Sequence, residues 1–147
     1  MCIRDSLGAM QKPLFLFKEV EGERILPIWM SETDTAVTIS QAHSQKDSAT
    51  HKVSKDILGQ LGWELKSCYF SEIKGPHQYL KLYFGSESDD QTKVVEARAE
   101  ESLSFCLQWD CPFYCDKDFI ESSRVSEATI EEALTTSLHD GDSIYLN

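Results

Sequence analysis

The sequence has no long hydrophobic run, little proline and glycine, and an odd number of cysteines. Its apolar stretches, such as 14–17 and 25–30, fall far short of the ~20 residues that a membrane-spanning helix needs. With 4 prolines and 7 glycines among 147 residues, it is not a collagen-like repeat. No apolar core of about 7–15 residues marks a signal peptide, and five cysteines do not form the even framework of a small secreted scaffold. We therefore expect a soluble domain in a reducing cytoplasm.

Positive charge is also scarce. The chain has 14 Lys and Arg against 25 Asp and Glu, a formal net charge of −11. The imbalance is greatest in residues 110–147, where nine acids stand against Lys117 and Arg124. Because phosphate neutralisation supplies most of the affinity of nucleic-acid binders, any face that binds nucleic acid must be small and local. A metal-dependent enzyme could bridge this repulsion through bound cations.

The spacing of apolar residues and turn signals predicts a mixed chain of strands and helices. The predicted strands are 13–20, 24–30, 63–73, 78–85, 93–98 and 112–115. The predicted helices are 31–43 with Ser31 as N-cap, 50–61 with Thr50 as N-cap, 100–109, and a short one after the cap Asp116. This order favours an α+β fold with a mixed, mainly antiparallel sheet and two to three packed helices in a single domain.

Three regions are expected along the chain. The first six residues, MCIRDS, resemble a translated adapter sequence, so we expect residues 1–12 to be a non-native or disordered start. Residues 13–122 are expected to form the domain. Residues 123–147 are expected to be an acidic appendage, with a helix at 126–138, a turn at 140–142 and a last strand at 144–146.

Three cysteines form the pattern C-x4-C-x3-C, at Cys106, Cys111 and Cys115. Structural zinc sites favour closely spaced Cys pairs and need four ligands, and no second Cys or His pair completes this group. A free cysteine in a buried strand acts as a small hydrophobe. The pattern therefore favours core packing over metal binding.

The histidines show no H-x3-H spacing typical of a metal-binding helix. His51 follows Thr50 in the first turn of a predicted helix, where the helix dipole lowers a histidine pKa and attracts anions. Its favoured role is to pair with Thr50 or the preceding loop, and acid–base catalysis is the alternative. His77, in a turn, and His139, in the acidic tail, are predicted to be solvated.

A cluster of charged residues marks the predicted strand-to-helix junction, with Glu96, Arg98, Glu100 and Glu101. Carboxylates beside an arginine could hold a divalent cation or act as acid and base. The alternative is that Glu100 and Glu101 favour the helix dipole while Arg98 pairs with one of them. The common nucleophile, phosphate-loop and zinc motifs do not occur, so the residues alone leave the chemistry open.

Taken together, these segments resemble the bifunctional nuclease domain family. The matching features are a hairpin ending Leu26–Trp29, the Thr50-His51 step before a helix ending at Leu61-Gly62, the Ala97-Arg98 junction, and Pro112–Tyr114. The resemblance covers about residues 13 to 122, and it rests on the ordered set rather than on any one motif.

This chain departs from the family pattern at several positions. The family signature Asp-Ala-Arg-Pro-Ser-Asp reads here as Glu96-Ala97-Arg98-Ala99-Glu100-Glu101, so both acids are one methylene longer and the Pro and Ser are lost. Ser31 replaces a usual Gly, and Lys52 replaces a usual Asp. The family's first strand, upstream of Pro13, is expected to be missing or replaced, as in a truncated reading frame.

The resemblance implies a nuclease that hydrolyses DNA or RNA phosphodiesters, with Mg or Mn as the cation. It makes Glu96, Arg98 and Glu101 the candidates for metal handling and phosphate contact, and His51 a candidate acid–base partner. The alternative is a non-catalytic homo-oligomer, a dimer, that keeps the fold as a protein-interaction domain. In that case the apolar hairpin side chains Phe15, Phe17, Ile28 and Trp29 would pack against a partner subunit. No membrane partner is expected.

Overall fold

The computed structural model describes residues 2–4, 14–43, 51–88, 90–123 and 145–146. The strands among them are β1 (Cys2–Arg4), β2 (Leu14–Glu19), β3 (Ile25–Trp29), β4 (Trp63–Lys74), β5 (His77–Ser86), β6 (Thr92–Arg98), β7 (Phe113–Cys115) and β8 (Tyr145–Leu146). The helices are α1 (Glu32–His43), α2 (Lys52–Gln60), α3 (Ala99–Cys106) and α4 (Lys117–Ser122). This is the single-domain α+β arrangement that the sequence predicts. Within the described part, no helix has both the length and the apolar character needed to cross a membrane.

The strands form two sheets. In sheet A, β1, β2 and β3 are antiparallel neighbours, and β8 pairs in parallel with β2. Sheet B has the order β6–β5–β4–β7, with only β7 parallel to its neighbour. Residues Cys2–Arg4, which were expected to lie outside the domain, pair with Leu14–Leu16. The predicted helix 126–138 and turn 140–142 lie outside the described residues.

Strands β4 and β5 form a long hairpin for local reasons. In β5, Gln78, Leu80, Leu82 and Phe84 are buried, while the residues between them are half-buried, as period-2 alternation requires. Gly75, with φ +59°, provides the left-handed residue in the turn between the two strands. The turn after Lys74 and the alternation of β5 follow from the sequence pattern, and the structure adds the left-handed conformation of Gly75.

The core lies between the two sheets and is rich in phenylalanine. The ring of Phe17 in β2 lies 5.7 Å from that of Phe70 in β4 and 5.0 Å from that of Phe113 in β7, between ring centroids. Phe15, Phe17 and Ile28 are 0% exposed. For these three side chains the prediction that they face a partner subunit is therefore wrong, because the inner face of sheet B already covers them; Trp29, the fourth, is half-buried.

Gln78 is a buried polar side chain that joins sheet B to its neighbours. Its amide oxygen accepts the Trp29 backbone N–H at 2.9 Å, and its amide nitrogen donates to Pro27 O at 2.9 Å and to Ser123 Oγ at 3.0 Å. Three partners offset the cost of burying the amide. The contacts fix β3 and the end of α4 against β5.

Helix α1 begins as predicted. Ser31 Oγ accepts the Asp34 N–H at 3.1 Å and donates to the Asp34 carboxylate at 2.6 Å, so the cap satisfies one free backbone donor of the first turn. The helix packs on α3, and Gln41 Nε2 donates to Gln108 Oε1 at 2.7 Å in the interior.

Helix α2 agrees with its prediction at its end but leaves most of its apolar face exposed. It ends as expected, with Gly62 in the left-handed region at φ +77°. However, Val53, Ile57 and Leu61 are 68%, 54% and 67% exposed, and only Leu58 packs against the core. Periodicity showed correctly that these residues share a face, but that face does not meet the core. Thr50 lies outside the described residues.

One further helix boundary is corrected, and another is confirmed. Helix α3 ends at Cys106, and the chain continues to Trp109 as turns rather than as helix. Asp116 holds the N-cap position of α4 without a side-chain cap bond. Its carboxylate instead accepts the hydroxyl of Tyr69, and this bond raises the pKa of Tyr69 to about 12.

Candidate functional site

The junction of β6 and α3 places Arg98 at the end of sheet B. Arg98 pairs with Tyr79 of β5 and is the N-cap of α3, with an extended backbone. Ser102 Oγ donates to Arg98 O at 2.7 Å, which fixes the first turn, and Ala99 is buried at 1% exposure. The chain is therefore anchored on both sides of an arginine whose side chain is 42% exposed.

The Arg98 guanidinium has two neighbours on the surface. Its Nη1 lies 3.4 Å from Glu101 Oε1, as the local pairing interpretation predicts. The pKa of Arg98 is raised, first by the interaction with the Tyr79 side chain and then by the charges of Glu101 and Glu100. The guanidinium stays charged and accessible, so it can receive an anion.

A histidine–glutamate pair lies beside this arginine. His77 Nδ1 lies 2.7 Å from Glu100 Oε1, with the two side chains 31% and 22% exposed. The two groups are not aligned as a hydrogen bond, and Nδ1 has no hydrogen-bond partner. The prediction that His77 is solvated is therefore wrong. Only the pairing of β5 with β6 reveals the contact, because it brings the start of β5 beside the start of α3.

Glu96 is held apart from Arg98 and Glu101. Its carboxylate lies 3.2 Å from Lys74 Nζ, which also lies 2.7 Å from Glu72. These carboxylates raise the pKa of Lys74, with the Glu72 hydrogen bond as the first cause. Glu96 stands two positions before Arg98 on the same face of β6, about 6.8 Å away along the strand.

His51 contacts α3 at Ser104, nearly one helical turn beyond Glu101. It is the N-cap residue of α2 rather than a first-turn residue, and it makes no side-chain cap bond. Its Nε2 lies 3.0 Å from the oxygen of Ser104, and its ring meets Phe105 edge-on at 5.9 Å between centroids. Burial lowers the pKa of His51, which favours the neutral ring. Ser104 follows Glu101 by three residues, slightly less than one turn and about 4.5 Å along the helix axis.

No three His, Cys, Asp or Glu side chains of the described ranges converge as a group that could hold a metal ion. Cys106 is buried in the core, and Cys111 and Cys115 pack against it, which confirms the core-packing interpretation. Cys111 Sγ lies 3.7 Å from Cys68 Sγ. Burial raises the pKa of Cys115 to about 11, so its sulfur is a thiol near neutral pH.

The sequence is similar to known proteins over most of its length. Two proteins of Mycobacterium tuberculosis, "Uncharacterized protein MT1877" of strain CDC 1551 / Oshkosh and "Uncharacterized protein Rv1829" of strain ATCC 25618 / H37Rv, are each 26% identical to it over 133 residues. Each match covers 88% of this chain and 78% of the relative. The family model described as "Bifunctional nuclease domain" matches residues 15–128, which include all four strands of sheet B and the β6–α3 junction. The chain belongs to the bifunctional nuclease domain family.

Proposed function

We propose that this protein is a nuclease that hydrolyses phosphodiester bonds of DNA or RNA at the β6–α3 junction. The observation that carries the proposal is the exposed guanidinium of Arg98, with His77, Glu100 and Glu101 close by. Family membership supports the same activity. Strand ends that open helices are frequent places for chemistry, because a rigid scaffold holds short loops there.

Arg98 is the phosphate-binding residue in this proposal. A planar guanidinium can donate two parallel hydrogen bonds to a phosphate and stabilise charge that develops on its oxygens. Its pair with Glu101 is long, at 3.4 Å, and both side chains are largely exposed. Such surface pairs contribute little free energy, so a phosphate can displace Glu101 from the guanidinium.

Proton transfer falls to the two histidines. His77, whose Nδ1 lies 2.7 Å from the Glu100 carboxylate, is the candidate acid that donates a proton to the leaving oxygen. His51 is the candidate base, because burial lowers its pKa and keeps the ring neutral near pH 7. Hydrogen-bonded Ser104 fixes its orientation.

A divalent cation, Mg²⁺ or Mn²⁺, would act as a Lewis acid on a phosphate oxygen. The part of the chain that the structure describes does not group the three donors such an ion needs. Glu101 and Glu96 are instead engaged with Arg98 and Lys74. We therefore assign no ligand set and derive no step through a cation.

The test is a cleavage assay on single- and double-stranded DNA and RNA, in Mg²⁺, in Mn²⁺ and in EDTA. Arg98→Ala should reduce the rate by roughly 100- to 1,000-fold, the usual effect of removing one donor to a developing negative charge. The matched control is Arg24→Ala, because Arg24 is also an exposed arginine paired with a glutamate, Glu19, but lies in the β2–β3 turn.

Equal cleavage by Arg98→Ala and wild type would contradict the proposal. Glu101→Ala, run in the same series, separates two roles. A loss of cleavage that depends on the added cation would assign this carboxylate to cation or proton handling. A faster rate would show that Glu101 competes with the phosphate for the Arg98 guanidinium.

An interaction domain is the second candidate function, and exposed apolar side chains favour it. Val53, Ile57 and Leu61 form a stripe along α2, and Val94 and Val95 of β6 are 52% and 49% exposed. Residues spaced four apart along a helix are the usual anchors of helix-mediated contacts. The double substitution Ile57→Ser and Leu61→Ser should convert a homo-oligomer to a monomer in light scattering. A wild-type monomer would exclude this function.

A further inference from the structure

The outer face of sheet B carries four tyrosines. In β5 the outward residues are Tyr79, Lys81 and Tyr83, between the buried Leu80, Leu82 and Phe84. Strand register places Tyr69 opposite Lys81 and Tyr114 opposite Tyr69. The face therefore presents aromatic side chains on three adjacent strands, β5, β4 and β7.

The described helices leave this face open. Helices α2, α3 and α4 place Leu58, Leu103 and Phe119 in or against the core cluster that contains Leu80 and Phe84, on the inner side of the sheet. On the outer side, Tyr114 is 43% exposed. The described elements therefore leave the tyrosine face accessible to solvent.

Two of the four rings are already engaged, and two are available. Lys74 Nζ lies 4.8 Å from the centre of the Tyr79 ring, and Arg98 interacts with the same side chain. The hydroxyl of Tyr69 donates to Asp116. Tyr83 and Tyr114 make no hydrogen bond or ring contact with the described residues.

The charges on this face balance within an acidic chain. The cations are Lys74, Lys81 and Arg98, and the carboxylates are Glu72, Glu96 and Asp116. Lys74 engages both glutamates, and Tyr69 engages Asp116. The face thus offers Lys81, which has no carboxylate partner among the described residues, and Arg98, whose pair with Glu101 is long at 3.4 Å, although the whole chain carries −11.

We propose that this face binds single-stranded nucleic acid, with bases stacked on Tyr83 and Tyr114 and backbone phosphates at Lys81 and Arg98. Exposed aromatics on a four-stranded sheet bind unpaired bases by stacking, whereas bases inside a duplex are not available to them. The inference rests on the proposed nuclease function, because Arg98 ends the same face. A strand lying across the tyrosines would present one of its phosphates to the guanidinium.

The test is fluorescence anisotropy in EDTA with one labelled 12-nucleotide sequence, offered as single-stranded RNA, single-stranded DNA and duplex DNA. Tyr83→Ala and Tyr114→Ala should each weaken binding of the single strands about 5- to 100-fold, the usual effect of losing one stacked base. Tyr83→Phe keeps the ring, and its affinity should be within about twofold of that of the wild type.

Lys81→Ala tests the phosphate contact, and it should weaken binding and reduce the dependence of the affinity on salt concentration. The matched control is Lys117→Ala, because Lys117 is an exposed lysine on α4.

Three results would overturn the inference. The first is that both tyrosine-to-alanine variants bind the single strands as tightly as wild type. The second is that the wild type prefers the duplex. The third is that Tyr83→Ala changes the oligomeric mass of the protein without changing its affinity for the single strand. The outcome is separable from that of the nuclease proposal. Binding that depends on the tyrosines, without cleavage under any cation, would support the binding face and contradict the nuclease proposal. Loss of cleavage in Arg98→Ala, together with normal binding by the tyrosine variants, would support the nuclease proposal and contradict the binding face.

Discussion

The two faces of sheet B share the same strands but contact different surroundings. On the inner face, Phe70 and Leu80 are 1% and 0% exposed and pack against sheet A and the helices. On the outer face, Tyr79, Lys81 and Tyr83 are half-buried, and the Lys74 ammonium lies over the Tyr79 ring. Apolar area removed from water supplies most of the free energy of folding. The inner face should therefore set the stability of the domain, and the outer face is free to carry polar and aromatic groups for binding.

The strongest test of this comparison pairs one aromatic from each face. Phe70→Ala should lower the free energy of unfolding by about 3–5 kcal/mol, because it removes a ring packed against Phe17, Phe113 and Phe119. Tyr83→Ala should lower it by about 1 kcal/mol or less, the range of a cross-strand pair at a solvated face. Urea denaturation followed by tryptophan fluorescence measures both values. Equal losses would show that something covers the outer face.

A smaller effect is expected at Gln78, which joins the inner face to sheet A through hydrogen bonds. Gln78→Ala should lower the free energy of unfolding by about 1–3 kcal/mol, because the buried groups it serves, including the Trp29 N–H, lose their partner. Gln60→Ala, at an exposed position of α2, is the control and should be neutral. A neutral Gln78→Ala would mean that the Gln78 bonds do not couple the two sheets.

The smallest expected effect is a pH dependence at His51. Burial lowers its pKa in the folded state below the unfolded value of about 6.5, so the unfolded chain binds more protons. Its contribution to stability is therefore full above pH 6.5 and is lost as the pH falls below that value. His51→Gln should flatten this part of the curve in urea denaturation at pH 5 to 8. An unchanged slope, or an equal change in the control His43→Gln, would assign the dependence elsewhere.

Features that depend on neighbouring residues could be predicted from the sequence. The Ser31–Asp34 cap, the left-handed Gly62 and the alternation of β5 each need only the next few residues and backbone geometry. The contact of Arg98 with Glu101 belongs with them, because residues three apart meet on a helix surface. These features account for the start of α1, the end of α2, the strand β5 and the Arg98–Glu101 pair of the candidate site.

Features that depend on which elements meet could not be predicted in the same way. The His77–Glu100 contact requires β5 to lie beside β6, and the Ser104 partner of His51 requires α2 to begin against α3. Likewise, periodicity cannot say what an apolar face meets. The hairpin side chains Phe15, Phe17 and Ile28 are buried in the core rather than against a partner, and the apolar stripe of α2 is exposed except at Leu58.

The order of strands in sheet B has a consequence for how the chain folds. β4, β5 and β6 follow one another through short turns, so each can pair as soon as its neighbour has formed. β7 instead pairs with β4, through bonds such as Cys68 N–H to Pro112 O at 3.0 Å, after α3 has carried the chain across the inner face. Such a distant pairing pays its loop-closure entropy before its contacts form. The ring of Phe113, which completes the aromatic cluster between the sheets, is thus expected to be placed late in folding, and β7 is expected to be the first strand of sheet B to open.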